Sequence, residues 1–246
     1  MQRLNGKVAF VTGGSRGLGA EIADAFATEG ASVIVASRNR SACEEYADQL
    51  TKRHGNRHLG LACNVGSWSS CDEAVETAYA EFGRIDILVN NAGMSPIYPS
   101  LEEVSEELWE KVIGVNLRGP FRLSSLIGTR MTRDGGGTII NISSMAATKP
   151  SPHYLPYAAA KAGLNTLTEG FAQAFGPTVR VNTIQCGAFR TDVAKAWTQD
   201  VERSLAKNAV LDRIAEAREI RAAALYFATD DSSYCTGARL ALDGGI

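Results

Sequence analysis

The sequence predicts one α/β domain, a doubly wound parallel sheet of about seven strands with helices on both faces. Three observations predict it. Short β-branched runs alternate with longer stretches of helical period. The first such run leads straight into a glycine-dense turn. The 246 residues, 45% hydrophobic and 21% charged, suffice for a single large core.

Taken in order, strands are expected near 7–12, 32–37, 58–62, 86–90, 138–143, 178–184 and 239–243. Helices are expected near 17–29, 41–53, 67–82, 105–131, 155–175 and 216–228. Ser41 followed by Glu44 has capping-box spacing, and Ser105 before Glu106 and Glu107 places acid in a first helical turn. No internal repeat, low-complexity tract or proline-rich linker marks a second domain, so residues 1–246 read as one unit. The stretch 190–213 fits the alternation least well and is expected to form a substrate lid.

Composition excludes several function classes. A formal net charge of -2 provides no field to gather nucleic acid or an anionic membrane surface, so any bound anion must be held locally. The longest apolar runs, such as Lys7 to Thr12, are too short to span a bilayer. The first strand begins almost at once, which leaves no leader peptide to be expected and points to the cytoplasm. The five cysteines are odd in number and include no CxxC pair, against both a disulfide framework and a zinc site.

The turn Thr12-Gly13-Gly14-Ser15-Arg16-Gly17-Leu18-Gly19 follows a strand and opens a helix. Missing side chains there let backbone approach a pyrophosphate, and unpaired helix N–H groups aim at it. A plain tight turn is the alternative. At the end of the second strand, where an NAD-specific site usually carries an acid for the ribose 2'-hydroxyl, stand Ser37 and Arg38. With Arg16, Arg38 offers guanidinium groups to a 2'-phosphate, which favours NADP(H) over NAD(H). Otherwise both arginines are solvated surface charges.

Tyr157 and Lys161 are spaced i,i+4 at the start of a helix and so share a face. A phenol ionises near pH 10, and a fixed ammonium beside it stabilises the phenolate. Ser144, 13 residues earlier, ends the strand that begins at Gly137, at the carboxyl edge where open α/β sheets bind ligands. Its hydroxyl could polarise a substrate oxygen. Pro120, inside a long predicted helix, has no N–H for the Asn116 carbonyl, so the helix either bends or stops there. A freed carbonyl could hold a water leading to Lys161.

Six motifs now stand in one order: Thr12 to Gly19, Asn90-Asn91-Ala92-Gly93, Asn116, Ser144, Tyr157 with Lys161, and Asp243-Gly244-Gly245. Together they resemble the short-chain dehydrogenase/reductase family nearly end to end, with 3-oxoacyl carrier-protein reductases and gluconate-type dehydrogenases among similar proteins. The resemblance implies a Rossmann-type sheet and a catalytic set of Asn116, Ser144, Tyr157 and Lys161, with Tyr157 as acid/base and Lys161 lowering its pKa. It implies cofactor contacts at Gly13, Ser15, Arg16, Gly17, Leu18, Gly19, Ser37, Arg38, Asn64, Val65, Asn91, Ala92, Gly93, Tyr157, Lys161, Gly187 and Thr191. The substrate, a small carbonyl or alcohol, would meet Ser144, Met145, His153, Tyr157 and Ala188, with Met94, Ser95 and Tyr154 nearby. A homotetramer or homodimer is implied, with no metal.

Two positions depart from the family pattern. Asn64 stands where an Asp is usual, and Cys186 where Pro precedes Gly187. Losing that proline is expected to free the backbone and to place a thiol near the site, as a small buried hydrophobe or a nucleophile. His153 either touches substrate or faces solvent. The reaction expected is hydride transfer between nicotinamide and a carbonyl or secondary alcohol, such as a 3-oxoacyl thioester, a polyol or sugar acid, or a cyclic ketone. The alternatives are a catalytically silent NADP-binding sensor or scaffold, and an epimerase or dehydratase, which usually needs a larger substrate domain.

Overall fold

The computed structural model describes residues 2–192, 194 and 197–246. Seven parallel strands make the central sheet: β1 (Val8–Thr12), β2 (Ser32–Ser37), β3 (Leu59–Ala62), β4 (Ile87–Asn90), β5 (Gly137–Ser144), β6 (Val179–Cys186) and β9 (Arg239–Leu242). A separate short pair, β7 (Phe189–Arg190) and β8 (Ala215–Glu216), lies outside it. The main sheet runs β3-β2-β1-β4-β5-β6-β9, so the chain steps outward from β1, then returns to β4 on β1's other side. The carboxyl ends of β1 and β4 therefore diverge at a switch point, the crevice where such sheets take ligands.

Helices cover both faces. On one side α1 (Gly17–Thr28), α2 (Arg40–His54) and α8 (Ile220–Ala228) enclose a core of Ile22, Phe26, Leu50 and Phe227. On the other, α3 (Trp68–Phe82), α5 (Gly119–Arg133) and α6 (Leu155–Phe175) enclose Phe10, Leu88, Leu123, Ile127 and Met131. β1 shows why parallel strands read as unbroken apolar runs: Ala9 and Val11 enter the first core while Val8 and Phe10 enter the second.

Four expectations change in detail. Ser41 and Glu44 form no capping box; Asn39 caps α2 by accepting from the Ala42 N–H, and Glu44 pairs with Arg40 instead. The predicted helix 105–131 divides into α4 (Glu106–Ile113), a π-helical turn Gly114–Arg118, and α5. Gly119 N–H reaches back to the Gly114 carbonyl there, so the chain absorbs an extra residue just before Pro120 rather than stopping. The predicted helix 216–228 opens as a 3-10 turn, Ala217–Glu219, before α8.

The fourth change concerns Cys186. β6 runs past the expected end at 184, in register with β5 as far as Ser144↔Cys186 and with β9 as far as Cys186↔Leu242. The backbone there is paired on both sides, not freed. A cysteine keeps the N–H that a proline lacks, so the strand continues.

Within the expected lid, α7 (Gln199–Lys207) is capped by Thr198, and Arg190 pairs with Glu202. Residues 193, 195 and 196 of that stretch lie outside the described residues. No helix among the described residues is long and apolar enough to cross a membrane.

Candidate active site

At the switch point the glycine turn is knitted to the end of β4. Thr12 Oγ1 donates to the Val89 carbonyl at 3.1 Å and accepts from the backbone N–H groups of Asn91 (2.9 Å) and Ala92 (3.0 Å). The Asn91 amide donates to the Thr12 carbonyl at 2.8 Å. A Cβ at Gly13 would come within 2.9 Å of that amide, and one at Gly19 would collide with the Gly13 carbonyl oxygen. Asn91 thus holds the turn closed. The sequence placed it in the cofactor pocket without revealing this brace, because its partners are Thr12 and Gly13, on another strand's turn.

The turn suits an anion. α2, α3, α4 and α7 each receive a side-chain cap, from Asn39, Ser67, Ser105 and Thr198. α1, like α5, α6 and α8, receives none from its own N-cap residue: in α1 that residue is Arg16, with no side-chain cap hydrogen bond and no acid in the first turn. Its leading N–H groups are therefore left without a side-chain partner, beside a positive dipole end. These residues fit a dinucleotide pyrophosphate.

Further along the edge, Ser15 Oγ donates to Ser37 Oγ at 3.4 Å, and Ser37 Oγ lies 2.9 Å from Cys43 Sγ. Arg38 is exposed, and exposed Arg16 has its guanidinium 3.9 Å from Asp192. A cleft of about 310 Å³ opens between Arg38, Asn64, Gly66, Lys111, Val115 and Arg118. Arg118 donates to the Gly66 carbonyl at 2.7 Å, and Asn64 Oδ1 accepts from Gly66 N–H at 3.2 Å. Val65 is buried beside them. Lys111 and Arg118 carried no local signal, since they reach the cleft from the far side of the sheet crossover.

Across the crevice, the four residues of the expected catalytic set converge. Lys161 is 3% exposed and donates to the Ile142 carbonyl at 2.8 Å; its Nζ lies 5.7 Å from the centroid of the Tyr157 ring. Ser144 ends β5 and accepts from Ala146 N–H at 3.1 Å. Asn116, fully buried in the π turn, donates to the carbonyls of Met94 and Val112, both at 2.9 Å, and accepts from Met94 N–H at 3.2 Å. Gly93 bridges the group: a Cβ there would stand 3.0 Å from Asn116 Oδ1 and 3.6 Å from Lys161 Nζ.

Burial dominates the electrostatics. It pushes the Tyr157 phenol up to about 12, partly opposed by the hydrogen bond from Ser144, and pushes the Lys161 ammonium down to about 8. In the protein alone, then, Lys161 does not lower the phenol below its ordinary value. The lysine's hydrogen bond goes to the Ile142 carbonyl. Burial likewise pushes the Cys186 thiol up to about 12.

Of the remaining expected residues, Met145 and Thr191 are half-buried, Leu18 and Ala92 flank the glycine turn, and His153 is exposed. Gly187 donates to the Leu242 carbonyl at 3.0 Å, closing β6 onto β9. Ala188 lines a separate cavity of about 110 Å³ with Leu205 of α7 and Leu211.

With this geometry in view, the comparisons are specific. A family model described as enoyl-(acyl carrier protein) reductase matches residues 13–246. A D-threitol dehydrogenase of Mycolicibacterium smegmatis is 40% identical over 245 residues, 99% of this chain and 94% of its own length. A short-chain type dehydrogenase/reductase of Mycobacterium marinum superimposes with a TM-score of 0.93 at 30% identity, covering 99% of this chain and 96% of its own. An NADPH-dependent 3-quinuclidinone reductase of Rhodotorula rubra gives 0.94 at 32%, covering 100% and 92%. Likeness of this extent in both sequence and fold makes the chain a member of the short-chain dehydrogenase/reductase family, an oxidoreductase acting on CH–OH or C=O groups.

Proposed function

We propose that this enzyme moves a hydride between NADP(H) and a small carbonyl compound or secondary alcohol, with Tyr157 as general acid and base. The observation that carries the reading is the meeting, at one sheet edge, of Tyr157, Ser144 and a buried Lys161 with the uncapped start of α1. When bound, the nicotinamide supplies or takes up the hydride.

In reduction, Tyr157 gives its proton to the substrate oxygen while the Ser144 hydroxyl holds that oxygen in place. The phenol keeps its proton at neutral pH, as the acid in carbonyl reduction must. Lys161, pushed down to about 8, is still mostly an ammonium at pH 7 and can stabilise the phenolate left behind. Pro120 offers no N–H to the Asn116 carbonyl, and a water held on that carbonyl would return the proton through solvent. In oxidation the same atoms act in reverse.

The absence of an acid at Ser37 and Arg38, together with Arg38, Lys111 and Arg118 against the single acid Glu110 in the lining of the cleft, supports a 2'-phosphate and so NADP(H). The name of the Rhodotorula reductase points the same way. The substrate is a 3-oxoacyl thioester, a polyol or sugar acid, or a cyclic ketone, a range in keeping with the names of relatives (3-oxoacyl carrier-protein reductase, D-threitol dehydrogenase, 3-quinuclidinone reductase), and 190–213 acts as its lid. The test is NADPH oxidation against a carbonyl panel with Tyr157→Phe as control. A variant that matches the parent on a substrate the parent turns over overturns the mechanism.

A further inference from the structure

The loop after β4 carries a tyrosine that this mechanism leaves unused. Tyr98 is 6% exposed, and both hydrogen-bonding functions of its hydroxyl are spent on the segment leading to Tyr157. It donates to the Pro152 carbonyl at 2.6 Å and accepts from the Leu155 N–H at 2.8 Å. Leu155 is the first residue of α6, so its N–H is one of the donors a helix start leaves unpaired. Tyr154, the N-cap, makes no side-chain cap hydrogen bond. The helix that bears Tyr157 and Lys161 is therefore capped by a phenol from another loop.

The same loop is pinned at its other end by Asn116, through the paired hydrogen bonds with Met94. Between the two pins it spans from the π turn to the start of α6. The clamp also bears on the acid/base ring itself: Tyr154 sits edge-on to Tyr157, with ring centroids 6.4 Å apart and planes at 84°. A turn that shifts at Pro152–Leu155 moves the Tyr154 ring, and with it the wall against which Tyr157 rests.

We propose that Tyr98 is a positioning residue, whose hydroxyl locks the Pro152–Leu155 turn and thereby sets Tyr157 and the adjoining substrate wall of Met94, His153 and Tyr154. The inference rests on the function proposed above. It predicts an effect chiefly on one ligand. Most of the expected nucleotide contacts, at 13–19, 37–38 and 64–65, receive no hydrogen bond from Tyr98, whose hydroxyl bonds only Pro152 and Leu155; of the expected set, Tyr157 lies nearest in the chain to this clamp. A turnover geometry that depends on alignment within a fraction of an ångström is the part that suffers.

The test is Tyr98→Phe in the full-length enzyme, which keeps the ring and removes only the hydroxyl. Loss of the two hydrogen bonds is expected to lower kcat/KM for the carbonyl substrate by about five- to tenfold, with kcat falling along with any rise in KM. The dissociation constant for NADPH should stay within about twofold, since most of its expected contacts are untouched. Amide hydrogen exchange across 152–158 should accelerate selectively, with exchange in β1 and α1 unchanged. Unchanged exchange at 152–158, or an equal loss of affinity for both ligands, overturns the proposal. Because the exchange measurement needs no turnover, it judges the clamp separately: an unsubstituted enzyme inactive on every carbonyl sinks the functional reading alone.

Discussion

Lys161 is tied to the Ile142 carbonyl by a 2.8 Å hydrogen bond, so this buried cation is anchored to the sheet and not to the Tyr157 phenol one helical turn away. The cost is desolvation, which pushes the ammonium down to about 8.

That cost is measurable. Below pH 8 the lysine is charged in both folded and unfolded chains, and only the folded one bears the burial penalty; above about 10.5 it is neutral in both. Lys161 therefore weakens the fold most at neutral and acid pH, and the effect fades as pH rises from 8 to 10.5. Lys161→Met should be more stable than the parent at pH 7 by up to about 3 kcal/mol, less the lost hydrogen bond, with the gain gone near pH 10.5. Urea unfolding at several pH values checks this, and a difference that ignores pH contradicts it.

Tyr157→Phe should cut turnover by at least about a hundredfold, the usual worth of a positioned general acid. Nucleotide affinity should barely move, because the ring and its contact with Tyr154 remain. Steady-state kinetics with fluorescence titration of NADPH separate the two effects.

Arg38→Asp should raise KM for NADPH by about tenfold or more while leaving or improving NADH use, by replacing a cation with a charge that repels a 2'-phosphate. The ratio of kcat/KM for the two cofactors is the readout. An unchanged ratio removes Arg38 from the cofactor site.

Cys186 is expected to act as packing rather than as a nucleophile, since its thiol is 6% exposed and held up to about 12. Cys186→Ala should keep kcat/KM within about threefold and cost roughly 1 kcal/mol in stability. At pH 8, iodoacetamide should label Cys235 first, the one cysteine of the five that is not buried. Preferential labelling of Cys186, with loss of activity, contradicts this.

What the sequence determined by itself was local. An apolar, β-branched run announced β1, and the glycines after it announced a tight turn into a helix. The spacing of Tyr157 and Lys161 announced a shared face, and Pro120 announced a defect in its helix. Each depends on a few neighbouring residues and on steric or hydrogen-bonding rules that act within one or two turns. Tertiary structure decided the rest. Whether β6 ended at 184 or ran to Cys186 depended on partners in β5 and β9. How far Tyr157 and Lys161 are desolvated depended on burial among distant segments. The brace at Asn91 and the cap from Tyr98 join atoms about 79 and 57 residues apart. Contacts of that range leave no period or motif in a single chain, because they arise only when the sheet brings separate loops to a common edge.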